Sequence, residues 1–208
     1  MLKKPPIHKV YDRIAPVYDS LFKRIFADGR RALERLVAQH QPRLLLEVGI
    51  GTGLTLASYP RNTEVVGVDI SLPMLRRART RSANLAGSVP ERIHLGQMDG
   101  EHLAFADATF DCVTVMYTLS VVEHPQRFVD EIRRVCKPGG LVLIVNHFKG
   151  AGIWRPFESL TAPLSRSIGF RSNLCFRTHV LQQPWRVLGT SRANLFGLSQ
   201  IVTIQNGI

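Results

Sequence analysis

The sequence predicts an α/β fold, a mostly parallel sheet with helices on both faces. Three observations predict it. An apolar run, LLLEV at 44–48, ends in a glycine turn, GIGTG at 49–53. A second run, VVGVD at 65–69, ends in an acid about twenty residues beyond the turn. From there to residue 145, short β-rich runs alternate with stretches of helical period, the pattern of strands joined by crossover helices.

The elements follow in order. Residues 7–26 place Ile7, Val10, Tyr11, Ile14, Val17, Tyr18, Leu21, Phe22 and Ile25 at steps of three and four, the helical period. Pro16 suits the first turn of a new helix better than the interior of an old one. Two short helices are expected, over 7–15 and 16–27, with Gly29 separating them from a third that ends near Gln39. Strand one is 44–48, and a short helix starts at 54–57. Strand two is 65–69, followed by a helix over 73–83. Strand three is 93–97, closed by Met98 and Asp99, and strand four is 110–116. A helix over 125–135 is stopped by KPGG at 137–140, and strand five is 141–145. Beyond it, 174–182 is expected to be helical, with two last strands at 185–190 and 198–204. Residues 148–172, with Phe148, Trp154, Phe157 and Phe170 among arginines, read as an insertion on the substrate side. The domain reading is amphipathic N-terminal helices over 1–39, then one ligand-binding domain over 40–208.

Composition excludes several classes. With 208 residues, 45% of them hydrophobic, the chain is long enough for one domain with a sizeable core and is not disordered. No apolar run reaches the ~20 residues that span a bilayer, and the opening MLKKPPIHKV has no apolar stretch of the kind a secretory leader needs. Cys112, Cys136 and Cys175 are scattered and odd in number. They predict reduced thiols, neither disulfides nor a metal site.

Net charge is +11, unevenly spread. Residues 1–35 hold nine Lys/Arg against four Asp/Glu, residues 36–147 eleven of each, and residues 148–208 seven against one. A neutral centre with basic flanks predicts a large anionic partner on one side. The opening helix favours a membrane surface over nucleic acid, because it combines a broad apolar face with Lys3, Lys4, Lys9 and Arg13. A plainer role, covering the ligand and packing on the core, is compatible with the same helix.

The glycine turn and Asp69 suit a nucleoside: glycines let the backbone close on the ligand, and the acid accepts from ribose hydroxyls. Glu47, directly before the turn, suits an ammonium group rather than a pyrophosphate. That points to S-adenosylmethionine, released as S-adenosylhomocysteine, over a dinucleotide. On this reading Gly49 and Gly51 permit close approach to the methionine half and Gly53 starts a helix. Ile70 and Met98 sandwich the adenine, and Asp99 accepts from its amino group. Tyr117, after strand four, lines the sulfonium end or is a core tyrosine. Tyr11 and Tyr18 fold over the ligand or pack as plain apolar groups. Tyr117, Ser120, Glu123 and His147 stand at strand ends facing the site. His147 is the first choice for orienting the acceptor or taking its proton.

EVGIGTG, VVGVDIS, QMDGEHLAFADATFD and KPGG stand in the order and spacing of class I S-adenosylmethionine-dependent methyltransferases, which residues 40–147 resemble. VYDRIAPVYD at 10–19, EVGIGTGLTLASYP, MYTLSVVEHP and LIVNHF carry a narrower resemblance, over 7–148, to bacterial phospholipid N-methyltransferases. Those methylate phosphatidylethanolamine stepwise toward phosphatidylcholine. The resemblance implies a Rossmann-like seven-stranded sheet with an antiparallel last strand, no metal, and peripheral attachment to the cytoplasmic face of the membrane. It implies a phospholipid partner and no nucleic acid. Glu123-His124 departs from the family pattern, where a less charged turn is expected. The alternatives are methylation of a quinone precursor, whose enzymes share the YDxxAxxYD opening, and a non-catalytic lipid-binding module.

Overall fold

The computed structural model describes residues 12, 19, 27–85, 87–146, 180, 182–193 and 199–207. Its elements are α1 (Ala27–His40), β1 (Leu44–Val48), a 3₁₀ turn (Leu56–Ser58), β2 (Glu64–Asp69), α2 (Leu72–Asn84), β3 (Arg92–Gln97), β4 (Phe110–Met116), α3 (Pro125–Val135), β5 (Cys136–Asn146), β6 (Arg186–Ala193) and β7 (Ser199–Gln205). Seven strands form one sheet in the order β3-β2-β1-β4-β5-β7-β6. β1 to β5 run parallel, and β7 is antiparallel to both of its neighbours. The order reverses at β1, which puts the carboxyl ends of β1, β2 and β4 around one crevice, the place where open α/β sheets bind ligands.

The central strands are buried on both faces, so they read as continuous apolar runs. Alternate side chains enter two cores. Leu46, Val48, Val113, Val115, Val142 and Ile144 meet Phe128, Val129 and Ile132 of α3. Leu45, Cys112, Leu143 and Val145 meet Leu33 and Val37 of α1. Ser71 caps α2 through the Met74 N–H, with Pro73 in the first turn. Arg134 ties the β3–β4 connection to α3, donating to the carbonyls of Leu103 and Phe105 and pairing with Glu131 and Asp107.

Four expectations need correction. Gly29 does not separate two helices; it lies buried inside α1. A Cβ there would stand 2.5 Å from the Tyr117 hydroxyl and 3.1 Å from Val145, so glycine is needed for close packing. KPGG does stop α3, but it belongs to β5, which begins at Cys136 rather than at Leu141. Gly139, at φ +75°, takes up the register shift between the pairs Phe110–Cys136 and Cys112–Leu141. Asn206 closes that bulge, donating from Nδ2 to the carbonyls of Arg133 and Cys136. No α-helix starts at residue 54; a single 3₁₀ turn stands at Leu56–Ser58. Residues 27–39, grouped by sequence with the N-terminal helices, pack into the core through Leu33 and Val37. The expected helices over 7–15 and 16–27, the insertion at 148–172 and most of the segment 174–182 lie outside the described residues.

The Gly29–Tyr117 contact gives a direct test. Gly29→Ala should overpack the site, at ~1–3 kcal/mol, against a helix-propensity gain of ~1 kcal/mol. A lowered melting temperature is expected for Gly29→Ala, with most of the loss recovered when Tyr117→Phe removes the clashing hydroxyl. A Gly29→Ala protein more stable than its parent would contradict this packing.

Candidate functional site

The turn after β1 carries three glycines in the left-handed region, Gly49 at φ +82°, Gly51 at +56° and Gly53 at +73°. Side chains other than glycine rarely adopt this conformation. The space each one leaves is used differently. A Cβ on Gly49 would stand 2.1 Å from Thr118 Oγ1, and one on Gly53 would strike Leu56 and Ala78. One on Gly51 would meet nothing within 4 Å among the described residues. Gly51 is therefore the glycine that opens onto free space, while Gly49 and Gly53 admit the protein's own side chains. The N–H groups of Gly49 and Ile50 donate to the Val68 carbonyl, and that of Gly53 to the Ile50 carbonyl. The turn offers a ligand room more than donors.

Asp69 closes β2 and faces this turn. Its Oδ2 accepts from the Gly51 N–H at 2.8 Å and its Oδ1 from the Ser71 N–H at 2.9 Å. Burial pushes its carboxyl up, and those two N–H groups pull the other way. The Ser71 hydroxyl in turn donates to Asp12 at 2.6 Å.

Glu47 is 1% exposed on the face shared with α1. Its Oε2 accepts from Thr55 Oγ1 at 2.6 Å and from the Tyr59 hydroxyl at 2.9 Å. Burial is the largest influence on its carboxyl and pushes it up to about 7, against the two hydroxyl donors and with added repulsion from Asp69. Glu47 thus fastens the far side of the glycine turn from beneath.

Ile70 and Met98 are half-buried and follow adjacent strand ends, linked by the Met98 N–H donating to the Asp69 carbonyl at 3.0 Å. Asp99 is exposed, with Oδ1 accepting from the Glu101 N–H. Asp69, Ile70, Met98 and Asp99 therefore line one edge, and Gly51 stands beside it through its bond to Asp69.

Sequence reading missed Glu101. It is 7% exposed and accepts from the His124 backbone N–H at 2.7 Å and from ring Nδ1 at 2.8 Å. Burial opposes its ionisation, but the His124 donors outweigh it and hold the carboxyl below its ordinary value. The unusual His124 is thereby explained: its ring joins its own main chain in satisfying a carboxylate at the start of α3.

After β4 the chain departs from expectation. Tyr117 sits at φ +58°, a costly region for an aromatic residue. Its N–H donates to the Val145 carbonyl, and its hydroxyl lies against Gly29 and 3.3 Å from Ser199 Oγ. The core reading of Tyr117 accounts for its hydroxyl. Ser120, expected to touch substrate, is fully buried and donates to the Tyr117 carbonyl, so it closes a turn. His147, Tyr11, Tyr18, Lys3, Lys4, Lys9 and Arg13 lie outside the described residues.

Two further residues that sequence reading passed over are Asp19 and Arg81. Asp19 accepts from Thr52 Oγ1 at 2.5 Å and pairs with Arg81, whose Nε donates to the Thr52 carbonyl at 2.9 Å. The one available signal was the spacing of Asp12 and Asp19 in VYDRIAPVYD, read there for its tyrosines.

The raised carboxyl of Glu47 has a sign that can be tested. Below pH ~4.5 it is protonated in folded and unfolded chains alike. Between there and about 7 the unfolded chain ionises while the folded one keeps its proton, so stability falls as pH rises. Above about 7 the loss is complete, roughly 3 kcal/mol at ~1.36 kcal/mol per pH unit. Denaturant unfolding of the ligand-free protein should show this fall, and Glu47→Gln should remove it. Parallel profiles for the two proteins would refute the assignment.

Comparison with known proteins agrees with this geometry. A family described as a methyltransferase domain matches residues 46–144. The chain is 39% identical over 168 residues to the phosphatidylethanolamine N-methyltransferase of Cereibacter sphaeroides, covering 80% of this chain and 81% of that one. It is 35% identical over 181 residues to the ubiquinone/menaquinone biosynthesis C-methyltransferase UbiE of Syntrophotalea carbinolica, covering 83% and 68%. Among solved structures, the magnesium protoporphyrin IX methyltransferase of Synechocystis PCC 6803 with bound SAH superposes with a TM-score of 0.73. That match covers 96% of this chain and 99% of that one at 13% identity, a likeness of fold alone. Shared sequence over about four-fifths of both chains, carried on this sheet order, places the protein among the class I S-adenosylmethionine-dependent methyltransferases, with S-adenosylmethionine as its cofactor.

Proposed function

We propose that the chain transfers methyl groups from S-adenosylmethionine to the headgroup amine of phosphatidylethanolamine, and to its mono- and dimethyl forms, at a membrane surface. The observation that carries this reading is the 39% identity to the Cereibacter enzyme, which reaches across 81% of that protein. Asp69 would hold the ribose, the space at Gly51 would admit the methionine half, and Ile70, Met98 and Asp99 would receive the adenine. Glu47 would act on the methionine half only indirectly, by fastening the turn that receives it. Bound cofactor supplies an electrophilic methyl group on a sulfonium.

The acceptor nitrogen must be neutral to react. A primary amine with a lysine-like pKa of ~10.4 needs about 4.6 kcal/mol to reach that form at pH 7. A closed apolar pocket lowers this cost, because burial disfavours the ammonium. Each transfer forms an N–C bond, breaks an S–C bond and releases one proton. His147, one residue beyond β5, is proposed to orient the amine or phosphate or to accept that proton. The ring of Tyr117 at the end of β4 offers a face to the increasingly methylated cation.

Charge supports attachment to an anionic bilayer. Arg76, Arg77 and Arg79 of α2 are exposed, and none has an acidic partner among the described residues. Leu72, 42% exposed, stands at the site end of the same helix. With Lys3, Lys4, Lys9 and Arg13 they would add ~1 kcal/mol each near anionic lipid, screened by salt. No helix among the described residues is long and apolar enough to cross a membrane; the attachment proposed is peripheral, on the cytoplasmic face.

The second reading is methylation of a quinone ring carbon, favoured by the match to UbiE. Labelled cofactor offered with phosphatidylethanolamine liposomes, and separately with a demethylated quinone, decides between them. Label in mono-, di- or trimethylated phospholipid is expected. Label in the quinone alone would overturn the phospholipid reading, and label in neither would favour a non-catalytic lipid-binding protein.

A further inference from the structure

We propose that Asp19 and Arg81 are positioning residues for the cofactor, acting through Thr52 to hold the glycine turn in its binding shape. Thr52 stands between Gly51 and Gly53, 1% exposed. It is gripped at both ends: its hydroxyl donates to Asp19 Oδ1 at 2.5 Å, and its carbonyl accepts from Arg81 Nε at 2.9 Å. The Arg81 guanidinium pairs with the other oxygen of Asp19 and closes the ring. Three chain segments thus meet at one turn residue, from positions 33 apart and 62 apart in sequence.

The turn needs such a grip. Three of its five residues are glycines at positive φ, and glycine loses more backbone freedom on ordering than any other residue. The internal N–H bonds hold Gly49, Gly51 and Gly53. The Thr52 carbonyl, outside any strand or helix, takes its hydrogen bond from Arg81. The ring is also placed where it counts, because Gly51, the glycine beside open space, is the residue just before Thr52. Asp19 and Arg81 are about one-quarter to one-third exposed, so their contact is less screened than a surface pair. By contrast, Arg61–Glu91 is 60% and 71% exposed and is expected to contribute little.

This inference concerns the cofactor and is independent of the acceptor, so it can fail while the phospholipid reading stands, and the reverse. The test is calorimetric titration of the full chain with S-adenosylhomocysteine, together with the ligand-free melting temperature. Asp19→Asn and Thr52→Val are each expected to weaken binding on the order of 10-fold, with melting close to the parent's. The double variant should bind no worse than the weaker single one, because both break one ring. Thr52→Ser keeps the hydroxyl and should restore parental affinity, and Arg61→Gln should leave it unchanged. Affinity within about two-fold of the parent for Asp19→Asn or Thr52→Val would overturn the proposal. So would a Thr52→Ser protein as weak as Thr52→Val, or lowered melting with affinity intact, which would reduce the ring to scaffold.

Discussion

The site hangs on the carboxylate that ends β2. Asp69 takes one N–H from the glycine turn and one from the start of α2, and its own carbonyl takes the N–H that follows β3. Three loops from three strands are thereby fixed to one residue. A buried carboxylate without donors is costly, so the same two bonds that steady the charge also set the distance between the turn and α2. The space beside Gly51 exists because the turn is drawn down onto Asp69 instead of spreading over the end of the sheet.

Around that centre the glycines divide between open space and the protein's own side chains. Gly49 gives its room to Thr118 and Gly53 gives its room to Ala78, which lets β4's following loop and α2 approach the turn from either side. Gly29 does the same for Tyr117 from α1. Tyr117 holds a strained backbone, and strain of that kind persists only where neighbours over-determine it. Here the neighbours are the Val145 carbonyl, the notch in α1 and Ser199 at the start of β7. The carboxyl end of β4 is therefore clamped by α1, β5 and β7 before any ligand enters.

Much of this was legible in the sequence, and the boundary is physical. Strands β1, β2 and β4, and helices α2 and α3, carry their signals locally, as apolar runs, an Ser71 cap with Pro73, and a KPGG stop. That Asp69 and Gly51 meet could be read in advance, because it follows from spacing within one strand–turn–strand unit. Gly29, Ser120 and Glu101 could not, because what each residue does depends on how a distant segment or turn closes around it. A glycine in α1 looks like a break until Tyr117, far along the chain, fills the notch. Ser120 looks like a polar group at a strand end until its hydroxyl folds back on Tyr117. The bulge at Gly139 is likewise invisible without Asn206, which reaches it from beyond β7.

The same logic connects the cofactor site to the charge of the flank. Residues 1–26 hold six Lys/Arg and two acids, Asp12 and Asp19. Both acids are engaged by the body of the protein, Asp12 by Ser71 and Asp19 by Thr52 and Arg81. Both carboxylates are thus engaged beside the glycine turn and the start of α2. Asp19 also takes up Arg81 of α2, whose three exposed arginines stay without acidic partners among the described residues. Two carboxylates seven residues apart therefore do two things at once. They brace the glycine turn and the start of α2, and they leave the exposed arginines of α2 without acidic partners among the described residues, the charge on which the proposed attachment to an anionic bilayer relies.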